Sequence, residues 1–593
     1  MIRFIIFSFI LVFVFGEKIK LVTLDEGVVK GEKYWKGDFY EFYGIPYATA
    51  PTGRDRYKAP LPPTPWTGEF VATQAKTTCL QSYPTGDDDD VIIDGEEQCL
   101  LLNILSPTKT DDGNLVPVLV YIHSGAFVGG YGNMATFQYL ARHDIVVVSM
   151  NYRLGALGFA CLGNEDIPGN AGLKDQVAAL KWINKNIKKF GGDPSKVTVA
   201  GFSVGAAMAE LLTLSKLTEG LIDKIILESA SALSPFAINR NPIDTAKNMA
   251  IAVGYNGTSL KDLTEFYLTT HIEVLTKHNH NYYLKNSTFG FAPCIENTLK
   301  NSEALITESP LDIIKSGRNN KVAVLTGFSN MEGLSRIIKF DEWTDPMNNN
   351  FEDFLPVDLK FPNEDSRNAY IKDIKKRYFK DEKVSIDSLQ AYVDYFSDSM
   401  FKYSILKSAK LHAENNFRPV FVYEFSYVGR LNMRHQYADK ISGASHRDQT
   451  SYILEFVTFT NNLTDLDVRD RMTLMWSDFT QFEDPTAYES PLIGFKWLPY
   501  SNDKRNYLQI TDTATMDENL FESGYQFWDK AYGKYYWNPK PVGNLAIKTQ
   551  ITKLEESFDL AKAITRHRDG VPKNMRINSQ EYPQKHIDIY FKY

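Results

Sequence analysis

The chain has 593 residues, of which 43% are hydrophobic and 23% are charged, and its formal net charge is -8. This composition excludes intrinsically disordered and collagen-like proteins, and the lack of a basic field disfavours nucleic acid as a partner. Four cysteines are too few for a disulfide scaffold. The length suits several average domains or one large α/β fold, so it leaves the number of domains open.

Residues 1–16 have the pattern of a secretory signal peptide. Arg3 supplies a positive charge, and an apolar run from Phe4 to Phe15 is interrupted only by Ser8. This run is shorter than the ~20 residues that a spanning helix needs. The alternative is a buried or interfacial N-terminal strand. No later segment is typical of a transmembrane anchor, so we expect a protein that is secreted or remains in the lumen of the secretory pathway.

Glycosylation sequons begin at Asn256, Asn286 and Asn462, which fits that compartment. An oxidising compartment also allows the cysteines to form disulfides.

The cysteines fall into two kinds of surroundings. Cys79 and Cys99 bracket a polar loop with four consecutive aspartates at 87–90, and the pairing of these two is favoured. Closing this loop would contribute roughly 3 kcal/mol in the chain-entropy model. Cys161 and Cys294 lie in apolar surroundings, and we expect two buried free thiols. The aspartates lack the glycine turn and distal glutamate of a calcium loop, so we expect a solvated loop tip rather than a metal site.

Between residues 115 and 330, short apolar runs alternate with helical patterns, which indicates parallel strands joined by crossover helices. One such helix is predicted over 173–188, and Gly191 follows it as a stop signal. The predicted strands are 116–122, 145–150, 197–201, 224–227, 322–326 and, after an insertion, 419–425. We therefore predict one large α/β domain rather than several domains.

The pentapeptide Gly201-Phe202-Ser203-Val204-Gly205 fits the pattern Gly-x-Ser-x-Gly. Alone it is a weak signal, but a predicted strand precedes it and a predicted helix over 206–213 follows it. This is the strand-turn-helix context of a nucleophile elbow, in which the glycines allow a close approach while the serine stands at the helix N-terminus. Ser203 is therefore the candidate nucleophile, and the alternative is a serine in an ordinary turn.

A serine nucleophile needs a base to take its proton and an acid to orient that base. In an α/β hydrolase these follow the nucleophile in the order acid, then histidine. His446 lies in a loop that begins with a glycine, beyond the last predicted strand, and Glu332 follows the strand at 322–326. The turn after the strand at 116–122 contains Gly125 and Ala126, whose N–H groups could bind an oxyanion together with that of Val204.

At this point the chain resembles the type-B carboxylesterase and cholinesterase family of α/β hydrolases, from about residue 20 to about residue 532. The resemblance rests on several motifs in the family's order, which are Phe42-Tyr-Gly-Ile-Pro-Tyr47, Arg56-Tyr-Lys-Ala-Pro60, Glu97-Gln-Cys-Leu-Leu-Leu-Asn103, Asn151-Tyr-Arg-Leu-Gly155, Gly169-Asn-Ala-Gly-Leu-Lys-Asp-Gln176, Phe190-Gly-Gly-Asp-Pro194 and Trp476-Ser-Asp-Phe479.

The resemblance implies a catalytic triad of Ser203, Glu332 and His446, with oxyanion donors at Gly125, Ala126 and Val204. It also implies a disulfide between Cys79 and Cys99 and structural ion pairs of Arg56 with Glu97 and of Arg153 with Asp175. With the predicted signal peptide at 1–16, the extent of the resemblance divides the chain into a catalytic domain at 17–532 and a C-terminal extension of unknown role at 533–593.

Two residues depart from the family pattern: Ser124 occupies the position of a usual glycine, and Val204 replaces the usual alanine. Both add bulk beside the oxyanion site without removing a backbone donor. We therefore expect activity with an altered preference for substrate size.

The sequence thus predicts a secreted serine hydrolase that cleaves small-molecule or lipid-like carboxylic esters, without a metal or another cofactor. One alternative is a non-catalytic binding or adhesion ectodomain, which would usually lack a triad residue and carry a membrane anchor. Another is a lipase or acyltransferase that uses the same triad. In the extension, residues 549–566 have an amphipathic helical pattern that favours packing on the domain over binding a partner.

Overall fold

The computed structural model describes residues 19–73, 77–84, 91–279, 285–415, 417–456 and 459–542. The predicted signal peptide at 1–16, the aspartates at 87–90 and the predicted helix at 549–566 lie outside the described residues.

A central sheet of 13 strands organises the described part of the chain. In chain order the strands are β1 (Ile19–Thr23), β2 (Val28–Lys33), β3 (Phe39–Pro46), β4 (Glu69–Val71), β5 (Gln81–Pro84), β6 (Val91–Asp94), β7 (Leu101–Pro107), β8 (Val116–Ile122), β9 (Val146–Met150), β10 (Gly192–Phe202), β11 (Lys224–Glu228), β12 (Ala323–Ser329), β13 (Val420–Phe425), β14 (Asn506–Ile510) and β15 (Ala514–Glu518). The order across the sheet is β1-β2-β3-β7-β9-β8-β10-β11-β12-β13-β14-β15; β4 pairs with β2, and β5 and β6 form a separate antiparallel pair.

The strands from β9 to β14 run parallel in the order β9-β8-β10-β11-β12-β13-β14, which confirms the predicted mostly parallel sheet. The predicted strand at 116–122 is β8, with the same bounds. β10 begins earlier than predicted, at Gly192. Of the two adjacent glycines, Gly191 has the left-handed conformation (φ 84°) that ends the preceding helical turn, and Gly192 already belongs to the strand. The β10 register then shifts before Val197, where the predicted strand starts.

Helices cover both faces of the sheet. The α-helices of the described residues are α1 (Gln138–Ala141), α2 (Gly155–Phe159), α3 (Ala171–Asn186), α4 (Val204–Thr213), α5 (Pro242–Ala252), α6 (Leu260–Thr269), α7 (Ile272–Lys277), α8 (Pro310–Lys315), α9 (Phe340–Asn349), α10 (Glu364–Ile374), α11 (Leu389–Ser397), α12 (Tyr403–Asn415), α13 (Leu463–Phe482) and α14 (Glu522–Tyr535). α3, α4 and α12 share a hydrophobic core with one face of the sheet, and α1 and α13 share a second core with the other. α9 to α12 lie between β12 and β13, at the predicted insertion.

Both pairs of cysteines are joined: Cys79 to Cys99 and Cys161 to Cys294. The expectation of two buried free thiols at Cys161 and Cys294 is therefore wrong. Asn170 fixes the backbone of Cys294, because its side chain donates to the Cys294 carbonyl (2.9 Å) and accepts from the Cys294 N–H (2.9 Å). An apolar neighbourhood suits a buried disulfide as well as a buried thiol, and the local sequence could not tell them apart.

The two expected ion pairs have different outcomes. Arg153 binds Asp175 at 2.6 Å, and both side chains are buried. Within the described residues, Arg56 and Glu97 do not form the expected ion pair, so this expectation is wrong. Arg56 instead donates to the carbonyls of Gly53 (2.8 Å) and Thr270 (3.2 Å).

The sequons differ in exposure. Asn256 is exposed, whereas Asn286 and Asn462 are half-buried. The Asn462 side-chain oxygen caps α13 by accepting from the Asp465 N–H at 3.2 Å. α14 crosses the boundary expected between residues 532 and 533, and the domain limits remain a prediction. Among the helices of the described ranges, none has the length and apolar character needed to cross a membrane.

Candidate active site

The turn between β10 and α4 holds Ser203 in a strained backbone conformation, with φ 55° and ψ -126°. Such a conformation costs a non-glycine residue about 1–3 kcal/mol and occurs mainly at functional sites. The turn is tight: a Cβ on Gly201 would overlap the backbone of Gly205, and a Cβ on Gly205 would overlap the Ile122 carbonyl. The Ser203 N–H donates to the Glu228 carbonyl at 2.7 Å, which ties the turn to the end of β11.

Three side chains meet at the carboxyl edge of the sheet. His446 Nε2 lies 2.9 Å from Ser203 Oγ, and His446 Nδ1 lies 2.5 Å from Glu332 Oε2. The Glu332 side chain is fully buried, whereas that of His446 is 16% exposed. A hydroxyl, an imidazole and a carboxylate in this order allow the imidazole to take the hydroxyl proton while the carboxylate fixes its orientation.

A second set of polar side chains holds the Glu332 carboxylate from behind. Glu332 Oε1 accepts from the Ser229 hydroxyl (2.5 Å) and from the Ser329 N–H (2.8 Å). The Gln449 amide donates to the Ser229 hydroxyl and accepts from the Ser329 hydroxyl. The sequence does not single out Ser229, Ser329 and Gln449, because serines at the end of a strand and a glutamine in a short helical turn belong to no recognisable motif.

The loops that hold Glu332 and His446 are bonded to each other. The Met331 N–H donates to the Ala444 carbonyl (3.0 Å), and the Ala444 N–H donates to the Asn330 side chain (2.9 Å). Asp448 then closes the histidine loop by accepting from the Ser445 N–H at 2.7 Å. Burial raises the pKa of Asp448 to about 6.

Aromatic rings surround the imidazole of His446. The rings of Phe202 and Phe401 each lie 4.6 Å from it, measured between centroids. Phe236 lies 5.8 Å from Phe401 and 5.0 Å from Phe289, so a cluster of buried aromatic rings continues away from the histidine. These rings lower the local polarity, which strengthens the polar interactions of the three side chains.

The turn after β8 contains the expected oxyanion donors. Gly125 and Ala126 have positive φ angles of 127° and 53°, and a Cβ on Gly125 would overlap the Gly129 carbonyl. Within the described residues, no acceptor is found for the N–H groups of Gly125, Ala126 and Val204, the last of which begins α4.

His123 precedes this turn and contacts it, with Nδ1 2.7 Å from the Ser124 carbonyl oxygen. Tyr152 donates its hydroxyl to the His123 carbonyl at 2.7 Å and stacks on the imidazole with centroids 4.3 Å apart. Burial lowers the pKa of His123 to about 4, so the ring is neutral at neutral pH. In the part of the chain that the structure describes, no group of three or more His, Cys, Asp or Glu side chains could hold a metal ion.

The chain is similar to known esterases in sequence and in fold. A model of the carboxylesterase family matches residues 18–528. Esterase FE4 from Myzus persicae is 33% identical over 490 residues, which cover 80% of this chain and 85% of the relative. Bile salt-activated lipase from Mus musculus is 31% identical over 535 residues, 85% of each chain. The crystal structure of juvenile hormone esterase from Manduca sexta, with OTFP covalently attached, has a TM-score of 0.76 and 26% identity, and the match covers 87% of this chain and 100% of that one.

Proposed function

The chain belongs to the carboxylesterase family and is a carboxylic ester hydrolase, and we propose that it acts through an acyl-enzyme formed on Ser203. His446 is the general base and acid of this mechanism, and Glu332 orients it. The observation that carries the proposal is the continuous path from Ser203 Oγ through the imidazole to Glu332 Oε2, with distances of 2.9 and 2.5 Å. The relative that was solved with a covalently attached molecule supports the same type of chemistry.

In the first half of the reaction, His446 Nε2 takes the Ser203 proton while Oγ attacks the ester carbonyl carbon. The tetrahedral intermediate collapses when the imidazolium gives that proton to the leaving alcohol, which leaves an acyl group on Ser203. In the second half, water replaces the alcohol: His446 takes a proton from water, hydroxide attacks the acyl carbon, and the proton returns to Ser203 as the carboxylic acid leaves.

The negative charge of each tetrahedral intermediate needs hydrogen-bond donors. We propose the N–H groups of Gly125, Ala126 and Val204, because they belong to the two turns that meet beside Ser203 and have no acceptor among the described residues. Losing one such donor typically costs about 3–4 kcal/mol of transition-state stabilisation.

The proposed substrate class rests on the buried aromatic cluster that continues from Phe401 to Phe236 and Phe289. We propose that a small-molecule ester with an apolar acyl or alcohol group packs against the end of this cluster beside His446. The bulk of Ser124 and Val204 next to the oxyanion donors would disfavour esters that are branched beside the carbonyl. A panel of p-nitrophenyl esters of increasing acyl length and branching tests this preference.

The decisive experiment uses a fluorophosphonate probe, which reacts with an activated serine. We expect one label on the wild-type enzyme, located on Ser203 by mass spectrometry, and no label on Ser203→Ala. Hydrolysis of p-nitrophenyl butyrate should disappear with the label. Ser195→Ala, at an exposed serine, is the matched control and should keep both. A Ser203→Ala variant that still hydrolyses the ester would refute the mechanism.

We also propose that the protein passes through the secretory pathway. Two disulfides support an oxidising compartment, and they agree with the signal pattern at 1–16 and with the sequons at Asn256, Asn286 and Asn462. Expression in insect cells should place the enzyme in the medium or the lumen with a new N-terminus near residue 17. Enzymatic deglycosylation should lower its mass, and recovery of an unprocessed, unmodified cytosolic chain would contradict this proposal.

A further inference from the structure

The end of β11 and the residue after it contact two members of the proposed triad and the helical turn that follows the third. The Glu228 carbonyl accepts from the Ser203 N–H (2.7 Å), and the next residue, Ser229, donates its hydroxyl to Glu332 (2.5 Å). The Glu228 side chain reaches the third member's loop, because its Oε2 accepts from the Thr450 hydroxyl at 2.7 Å. Thr450 belongs to the 3-10 helix Asp448–Tyr452, which begins two residues after the histidine.

The Glu228 carboxyl is buried among neutral partners. Its side chain is almost fully enclosed, and Oε1 accepts from the Trp476 indole N–H (3.2 Å) on α13. Within the described residues, no Lys, Arg or His nitrogen lies within 4.0 Å of the carboxyl. No ion pair therefore accounts for the carboxyl at this position. Burying a carboxyl without a cation is unfavourable for folding, so its presence needs another explanation.

The titratable groups around Glu228 come from several elements. Tyr121 of β8 and Tyr423 of β13 interact with it, and burial raises the pKa of both well above the ordinary value, so both stay neutral. Arg447, beside His446, faces Tyr121, and burial lowers its pKa to about 10, so it stays charged. For Glu228 itself, burial is the main cause that raises the pKa to about 7, and the bonds from Thr450 and Trp476 oppose it.

We propose that Glu228 is a positioning residue for ester hydrolysis: its carboxyl fastens the helical turn behind His446 to the strand end that holds Ser203 and Glu332. This inference rests on the proposed triad. If the turn is released, the imidazole can move relative to both of its partners. A displacement of about 1 Å at such a group can reduce the rate of the chemical step about 100-fold without affecting substrate binding.

Three variants separate positioning from folding. Glu228→Gln can keep both bonds, because its amide oxygen can accept from Trp476 while its amide nitrogen donates to Thr450. Glu228→Leu loses both bonds, and Thr450→Val loses only the bond to the histidine loop. Thr473→Val is the matched control for Thr450→Val, since Thr473 is buried on α13 and, within the part of the chain that the structure describes, its hydroxyl bonds to the backbone of its own helix.

The assay is kcat and KM for p-nitrophenyl butyrate, expressed per active site titrated with the fluorophosphonate probe. We expect Glu228→Leu to lower kcat about 10- to 100-fold with KM within about 3-fold, and Glu228→Gln and Thr473→Val to stay within about 3-fold of the wild type. Thr450→Val should lower kcat less than Glu228→Leu, and combining the two should add little, because both remove the same bond.

A merely structural role would reduce the number of titratable sites or the unfolding temperature and leave kcat per site unchanged, and that result for Glu228→Leu would overturn the inference. Equal losses in Glu228→Gln and Glu228→Leu would overturn it as well, because the glutamine keeps the bonds. Failure of the triad itself would appear separately, as activity that persists in Ser203→Ala.

Discussion

Replacing Glu332 by glutamine should reverse the tautomer of His446, and the structure indicates why. The Ser329 N–H can only donate, and it points at Oε1 of the carboxylate. The amide oxygen of a glutamine must therefore take the place of Oε1, and its NH2 group must face His446 Nδ1. Since that group donates, Nδ1 must accept, and the single proton of the neutral imidazole moves to Nε2 and points at Ser203.

An imidazole with its proton on Nε2 cannot accept the proton of Ser203. The corresponding change in the well-studied serine protease triad lowers kcat about 10,000-fold, which at about 1.4 kcal/mol per factor of ten corresponds to about 5.5 kcal/mol. We expect a loss of this size in kcat for p-nitrophenyl butyrate, with KM nearly unchanged. The rate of fluorophosphonate labelling should fall in proportion, because it measures the nucleophilicity of Ser203 directly.

Two controls make this test specific. Glu69→Gln, at an exposed position on β4, should leave the kinetics unchanged. The unfolding midpoint of Glu332→Gln should stay close to that of the wild type, because the amide fills the same volume and removes a buried charge. A folded Glu332→Gln enzyme that retained more than about a tenth of the wild-type kcat would refute the tautomer argument.

Two further predictions concern stability. Removing the Cys161–Cys294 disulfide by double alanine substitution should lower the free energy of unfolding by about 5 kcal/mol, and removing Cys79–Cys99 should lower it by about 3 kcal/mol. The difference arises because the first disulfide closes 133 residues and the second closes 20. Urea unfolding of both variants checks this order, and a smaller loss for the longer loop would contradict it. Because the folded protein raises the pKa of Glu228 from 4.5 to about 7, it binds more protons than the unfolded chain between these values, so stability should fall as pH rises. Between about pH 5 and about pH 8 the wild type should lose about 2–3 kcal/mol relative to Glu228→Gln, and parallel pH profiles of the two proteins would exclude this titration.

The parallel half of the sheet was predictable because its strands are covered on both faces. Continuous apolar runs such as Val116–Ile122 mark such strands without reference to the rest of the chain. The strands at the N-terminal side carry no comparable signal: β1 and β4 are short and largely exposed, and only their pairing with β2 defines them as strands. The disulfide of Cys161 with Cys294 was missed for a related reason, since 133 residues separate two cysteines that only the tertiary fold brings together.

At the candidate site, the Gly-x-Ser-x-Gly pattern and its strand-turn-helix context selected Ser203, and the order along the chain and the positions after strands selected Glu332 and His446. The structure brings these three side chains within hydrogen-bond distance. Their roles remain a prediction. The residues that hold them were not predictable in the same way. Ser229 and Gln449 are common residue types whose importance comes from their contacts with the buried carboxylate, and those contacts join segments that lie far apart in the sequence.

The two ends of β11 show why Glu228 is informative only in three dimensions. A charged residue at each end of an apolar strand usually indicates solvent on both sides, yet Lys224 and Glu228 are both buried. Lys224 is paired with Asp223, which is the common way to stabilise a buried charge. Among the described residues, the side-chain donors to the Glu228 carboxyl are the neutral groups of Thr450 and Trp476, at the edge of the sheet where the reaction is proposed to occur. Stability alone would favour an apolar residue there, so the carboxyl is better explained by the loop that it holds.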